Sequence, residues 1–210
     1  MTRRFLALGD SYTIGEGVRV AERWPPRVAA TIRKMGVQLD EPTIVAKTGW
    51  TTRELRSALD SMAPPLNEDF DIVSLLIGVN DQYRSLGVEA FRGGLLDLLS
   101  RVVRYAAGDA TRVVIVSIPD WSVTPFARAD ARSPTTIAEE IDRFNAVTRD
   151  EARRIGAAFV DVTSITREAR DDHTLLAPDG LHPSGAMYAR WVLAITPVVA
   201  KALAQQPRRD

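Results

Sequence analysis

The chain contains no cysteine, which excludes disulfides, a thiolate nucleophile and any Cys-ligated zinc. It contains only two histidines, His173 and His182, too few for the common two-metal hydrolytic site. No apolar run approaches the roughly 20 residues of a membrane span. The basic start, Met1-Thr2-Arg3-Arg4, leads into an apolar run that stops at Gly9-Asp10, too short for the core of a signal peptide. Neither sign of charge dominates: 27 Lys and Arg face 27 Asp and Glu, with the basic residues spread along the chain. Nothing in that balance calls for a nucleic-acid or membrane partner, and the expected location is cytoplasmic. A Gly-x-Ser-x-Gly pentapeptide is also missing, so a nucleophile elbow of the α/β-hydrolase type is excluded.

What is present is ordinary soluble material. A chain of 210 residues that is 45% hydrophobic and 26% charged suits one domain over residues 1–210 with an ample core. Short apolar runs at Arg4–Leu8, Thr43–Ala46, Asp71–Ile77, Arg112–Ile118 and Ala158–Val162 read as strands. The third is apolar almost throughout, as in a parallel strand buried on both faces. Between them, apolar residues recur at helical spacing: Trp24, Val28, Ile32 and Met35; Leu55, Ala58, Leu59 and Met62; Val88, Phe91, Leu95, Leu98, Val102 and Ala106; Ile137, Ile141, Phe144, Thr148 and Ile155. A last helix is expected from about Gly185 to Ala204, bent near Pro197. Thr51 with Glu54, and Thr136 with Glu139, have capping-box spacing. The stretch from Asp120 to Ser133 has no period and reads as a long loop of the kind that often carries function. Strands alternating with helices five times specify an α/β domain with a parallel sheet and right-handed crossovers.

Four features fall just after a strand or just before a helix: Ser11, Gly49, Asn80 and the pair Asp179/His182. In a parallel sheet the carboxyl ends of the strands share one edge, where ligands bind, so residues far apart in sequence converge there. Each has a bland explanation. Ser11 and Gly49 suit turns, Asn80 can bond its own backbone, Asp81 can cap the following segment, and a lone histidine often packs without further role. The pair is harder to dismiss. His182 follows Asp179 by three residues, with Gly180 and Pro183 constraining the turn, so a carboxylate can hold one imidazole nitrogen and leave the other to accept a proton. That makes a nucleophile of a serine hydroxyl. The Ser11 and Gly49 backbone N–H groups and the Asn80 amide are three donors suited to an oxyanion.

Gly9-Asp10-Ser11, Gly49, Gly78-Val79-Asn80-Asp81 and Asp179-Gly180-Leu181-His182-Pro183 together resemble the four blocks of the GDSL, or SGNH, esterase and lipase family, in their order and across the whole chain. The resemblance implies a three-layer α/β/α sandwich whose five-stranded parallel sheet has the flavodoxin-like order 2-1-3-4-5. It implies ester hydrolysis through an acyl-serine with no metal or other cofactor, Ser11 as nucleophile, His182 as base, Asp179 as its partner, and Ser11, Gly49 and Asn80 as oxyanion hole. Tyr12 departs from the pattern, standing where leucine is commonest. Substrates across the family include acetylated carbohydrates, lysophospholipids and acyl thioesters; a short acyl group is favoured here because no long apolar stripe is left free for a fatty chain. Two readings of other classes compete. A metal-dependent phosphoesterase would draw on Asp10, Asn80, Asp81, Asp179 and His182, with His173 left in a charged surface run. A binding domain on a flavodoxin-like scaffold would use none of this chemistry.

Overall fold

The computed structural model of the chain describes residues 2–205; Met1 and the last five residues of the expected 1–210 domain lie outside them. The five apolar runs form strands β1 (Phe5–Gly9), β2 (Thr43–Ala46), β3 (Ile72–Leu76), β4 (Val113–Val116) and β5 (Ala158–Val160). Eight helices are described: α1 (Ser11–Ile14), α2 (Trp24–Lys34), α3 (Thr52–Asp60), α4 (Val79–Tyr83), α5 (Val88–Tyr105), α6 (Pro134–Ile155), α7 (Thr163–Thr166) and α8 (Gly185–Ala204). The strands pair parallel in the order β2-β1-β3-β4-β5, as expected.

The order follows from handedness. A right-handed crossover through α2 takes the chain from β1 to β2 on one side. The next, through α3, must pass over the opposite face to bring β3 in on the other side of β1. Accordingly α2 packs on α8, while α3, α5 and α6 pack in a row. All residues of β1, β3 and β4 are buried, so both faces of the central sheet are covered. Registers Gly9↔Ala46 and Gly9↔Leu76 bring the ends of β1, β2 and β3 level. The chain leaves β1 and β3 in opposite lateral directions there, which opens a crevice at the carboxyl edge. Gly9 lies against the Leu76 carbonyl and the Thr13 hydroxyl, where a β-carbon would collide with both.

Three local expectations needed revision. The cap of α6 is Ser133 and not Thr136: the Thr136 N–H donates to Ser133 Oγ at 3.1 Å. The Ser-Pro pair explains this, since proline suits the first helical position and serine the position before it. The loop from Asp120 to Ser133 is not structureless; it holds two 3₁₀ turns, Trp121–Val123 and Pro125–Ala129. Such turns are too short to leave a periodic signature. Finally, α8 is long and apolar enough to cross a membrane by length and composition, with a mean hydropathy of 1.3. Half of that window is buried inside the protein, with Met187, Tyr188, Trp191, Ile195 and Val199 in the core, as befits a core helix that contacts β3 and β5.

Candidate active site

Ser11, Gly49, Asn80 and His182 line one cleft of about 120 Å³ at the carboxyl edge of the sheet. Ser11 is the first residue of α1, a single turn set by Asp10, whose Oδ1 accepts the Tyr12 N–H at 3.0 Å. The Ser11 N–H has no intrahelical acceptor at that position, and the Ser11 hydroxyl makes no hydrogen bond among the described residues, to His182 or to any other group. The sequence thus explains both halves of the motif: the aspartate holds the turn and the serine is left free.

Gly49 has φ +81°, a left-handed conformation that favours glycine. Arg84 fixes the loop from outside, donating from Nη2 to the Gly49 carbonyl at 2.6 Å and from Nη1 to Glu54 Oε1 at 3.1 Å. The expected capping box beside it forms: Glu54 N–H donates to Thr51 Oγ1 at 3.3 Å and Thr51 N–H to Glu54 Oε2 at 2.8 Å. Asn80, on α4, donates from Nδ2 to the Trp50 carbonyl at 2.9 Å. A side-chain amide nitrogen carries two hydrogens, so the second remains available. Asp81 does not cap the segment that follows it. Its carboxylate accepts the Thr52 N–H at 2.9 Å and the Thr52 hydroxyl at 2.6 Å, across 29 residues. Asn80 and Asp81 therefore bind α4 to the start of α3 and to the loop that precedes it.

The Asp179/His182 turn closes as its spacing suggests. Asp179 Oδ1 accepts the backbone N–H groups of Leu181 (2.9 Å) and His182 (3.0 Å), and Oδ2 lies 2.6 Å from His182 Nδ1. Partial burial opposes charge on Asp179, but the His182 bond and the two backbone donors outweigh it and hold the carboxyl below its ordinary range. With Nδ1 committed to the carboxylate, Nε2 is the nitrogen left to take a proton. Tyr12 packs its ring 5.1 Å from the imidazole, and the Tyr188 hydroxyl donates to the Tyr12 carbonyl at 3.1 Å. The tyrosine in place of leucine thus supports the His182 ring. Sequence reasoning did not assign this role, nor the one played by Arg84.

The cleft wall is aromatic. Tyr83, Trp121 and Phe126 pack with centroids 5.5–6.0 Å apart, and all three line the cleft; Trp50 does not. Trp121 Nε1 donates to Gln82 Oε1 at 2.7 Å, and Arg132 holds the segment through Asp130, Glu140 and the carbonyls of Gln82 and Tyr83. Among the described residues no group of three His, Cys, Asp or Glu side chains suited to a metal ion forms, and His173 is exposed and lines a different cavity from His182.

Asp10 is fully buried, and its Oδ2 has no partner among the described residues. Burial raises the carboxyl to about 8 despite the Tyr12 N–H bond, and the charge of Asp81 adds to the rise. The folded chain therefore keeps a proton that the unfolded chain gives up above pH ~4. This group's contribution to stability is complete below that value and is lost as pH rises through about 8. Asp10→Asn is expected to gain on the order of 2–4 kcal/mol over wild type near neutrality, with no gain at pH ~4. Urea unfolding of both proteins across this range checks it; a gain that does not grow with pH contradicts it.

Residues 7–190 match the model of the GDSL-like lipase/acylhydrolase family. No curated protein matches the chain in sequence. Solved structures share its fold: TesA, at 17% identity and TM-score 0.72, covering 96% of this chain and 100% of that one; a lipase/acylhydrolase from Enterococcus faecalis, at 22% and 0.70, covering 99% and 100%; and a variant of an acetyl xylan esterase from Geobacillus stearothermophilus, at 18% and 0.66, covering 99% and 97%. At such identities the structures speak for the fold, and the family match for membership. The chain belongs to the GDSL-like lipase/acylhydrolase family.

Proposed function

We propose that the protein hydrolyses carboxylic esters of short acyl groups through an acyl-Ser11 intermediate. The observation that carries this is the Asp179–His182 bond of 2.6 Å on a cleft that Ser11, Gly49 and Asn80 also line. His182 Nε2 takes the Ser11 proton as Oγ bonds to the acyl carbon. The carbonyl electrons move onto oxygen, where the N–H groups of Ser11 and Gly49 and the free Asn80 hydrogen stabilise the anion. Collapse breaks the bond to the alcohol, which leaves with the proton from Nε2. Water then repeats the sequence against the acyl-serine and releases the acid. Asp179 keeps the imidazole in the tautomer that both halves need.

The cleft supports the choice of acyl group. It is small beside the roughly 300–1,000 Å³ of pockets for drug-sized ligands, which suits acetyl better than a fatty chain. Tyr83 and Phe126 are exposed on this wall and offer aromatic surface for a sugar to pack on, so an acetylated carbohydrate is the favoured natural ester. Across p-nitrophenyl esters, kcat/KM is expected to be highest at two to four acyl carbons and to fall at least about tenfold by eight, the cost of ~1.4 kcal/mol of misfit. A rate that climbs with chain length overturns the assignment. Asn80→Ala is expected to lower kcat by about 10²–10³ with KM little changed, since its donor acts on charge that develops only in the transition state. Steady-state kinetics reads this directly; a pure KM effect assigns Asn80 to ground-state binding instead.

A further inference from the structure

The segment that carries Trp121 and Phe126 into the cleft turns other residues toward a second cavity, of about 470 Å³, which the hydrolytic mechanism does not use. Ser122 and Arg128 line it from the two 3₁₀ turns, Thr124 from between them, Thr135 from the first turn of α6, and Arg170 and His173 from the connection between α7 and α8. Its chemistry is one-sided: three basic groups face it, and among the described residues no carboxylate does.

Arg132 is held by Asp130 and Glu140, and Arg167 by Asp120 and Asp142. Arg128 and Arg170 have no ion pair or side-chain hydrogen bond among the described residues. Ser122 is an independent pointer. It is only 6% exposed, its N–H is used by Asp120, and its hydroxyl makes no hydrogen bond among the described residues and lines the cavity. The Thr124 hydroxyl beside it is already used, donating to the Trp121 carbonyl at 2.7 Å.

We infer that this cavity binds a phosphate-type oxyanion. Two guanidinium forks, an imidazole and a hydroxyl line it from separate segments, and they match an acceptor with oxygens in several directions better than a flat carboxylate. The start of the long helix α6 adds a field of the same sign. The anion is either free in solution or carried on the leaving group of the ester.

The test is titration of the full chain with inorganic phosphate at constant ionic strength. It is followed by the His173 imidazole NMR signals, assigned against those of the one other histidine, His182, with chloride as control. Saturable shifts are expected, and at least tenfold weaker binding in the Arg128→Ala/Arg170→Ala double variant, whose substituted residues are exposed. Unchanged binding in that variant, or equal shifts with chloride, overturns the proposal. A second arm separates the sources by comparing acetylglycerol phosphate with acetylglycerol as substrates. A preference for the phosphorylated ester that disappears in the double variant assigns the phosphate to the substrate; equal rates beside saturable phosphate binding assign it to a free anion. Only this arm rests on the ester-hydrolase reading, so failure of that reading leaves the titration interpretable.

Discussion

Ser11→Ala is expected to lower kcat/KM for p-nitrophenyl acetate by at least about 10⁴-fold, leaving only what the oxyanion donors and substrate binding supply. That factor corresponds to about 5.4 kcal/mol of transition-state stabilisation. The loss should come without unfolding, because the Ser11 hydroxyl makes no hydrogen bond among the described residues and the turn beneath it is held by Asp10. Thermal unfolding within a degree or two of wild type, paired with the kinetic loss, is the expected combination. Full activity in the variant contradicts the mechanism. Wild-type activity lost on EDTA treatment would return the metal reading to consideration.

Asp179→Asn should cost about 10⁴ in kcat, and for a more specific reason than the removal of charge. Asparagine retains one oxygen, which can go on accepting the N–H groups of Leu181 and His182 that now bond Oδ1 at 2.9 and 3.0 Å. Its amide nitrogen then stands where Oδ2 lies, 2.6 Å from His182 Nδ1, and donates to that nitrogen. The imidazole is driven into the tautomer with its proton on Nε2, unable to accept one from Ser11. The turn survives and the base does not. NMR of the imidazole nitrogens in both proteins reads the tautomer separately from the rate. A large kinetic loss with the wild-type tautomer retained contradicts this account of Asp179.

Much of this was legible in the chain, and the reason is local. Buried parallel strands announce themselves as apolar runs such as Ile72–Leu76, and α3 carries its own start signal in Thr51 and Glu54. Asp179 and His182 meet within one turn, so their spacing nearly encodes their contact. Once parallel order is granted, the ends of β1, β2 and β3 must share an edge, and Ser11, Gly49 and Asn80 follow. What could not be read are contacts between distant segments without any period: Asp81 with Thr52, Arg84 with Gly49 across 35 residues, and Tyr12 with His182. The cap of α6 was misplaced for a different reason. Both Ser133 and Thr136 have side chains suited to capping, and only Pro134, fixed at the first helical position, decides between them. The 3₁₀ turns that shape the aromatic wall lie below the length at which periodicity can speak.

The central claim is that Ser11 becomes acylated, and its most direct test is covalent. The wild-type chain is treated with a fluorophosphonate ester and its intact mass and peptide map are recorded. One equivalent of adduct on the peptide containing Ser11 is predicted, with none on the Ser11→Ala variant and slowed labelling of Asp179→Asn. Ester turnover without an adduct, or an adduct on another residue with Ser11 unmodified, would contradict the account.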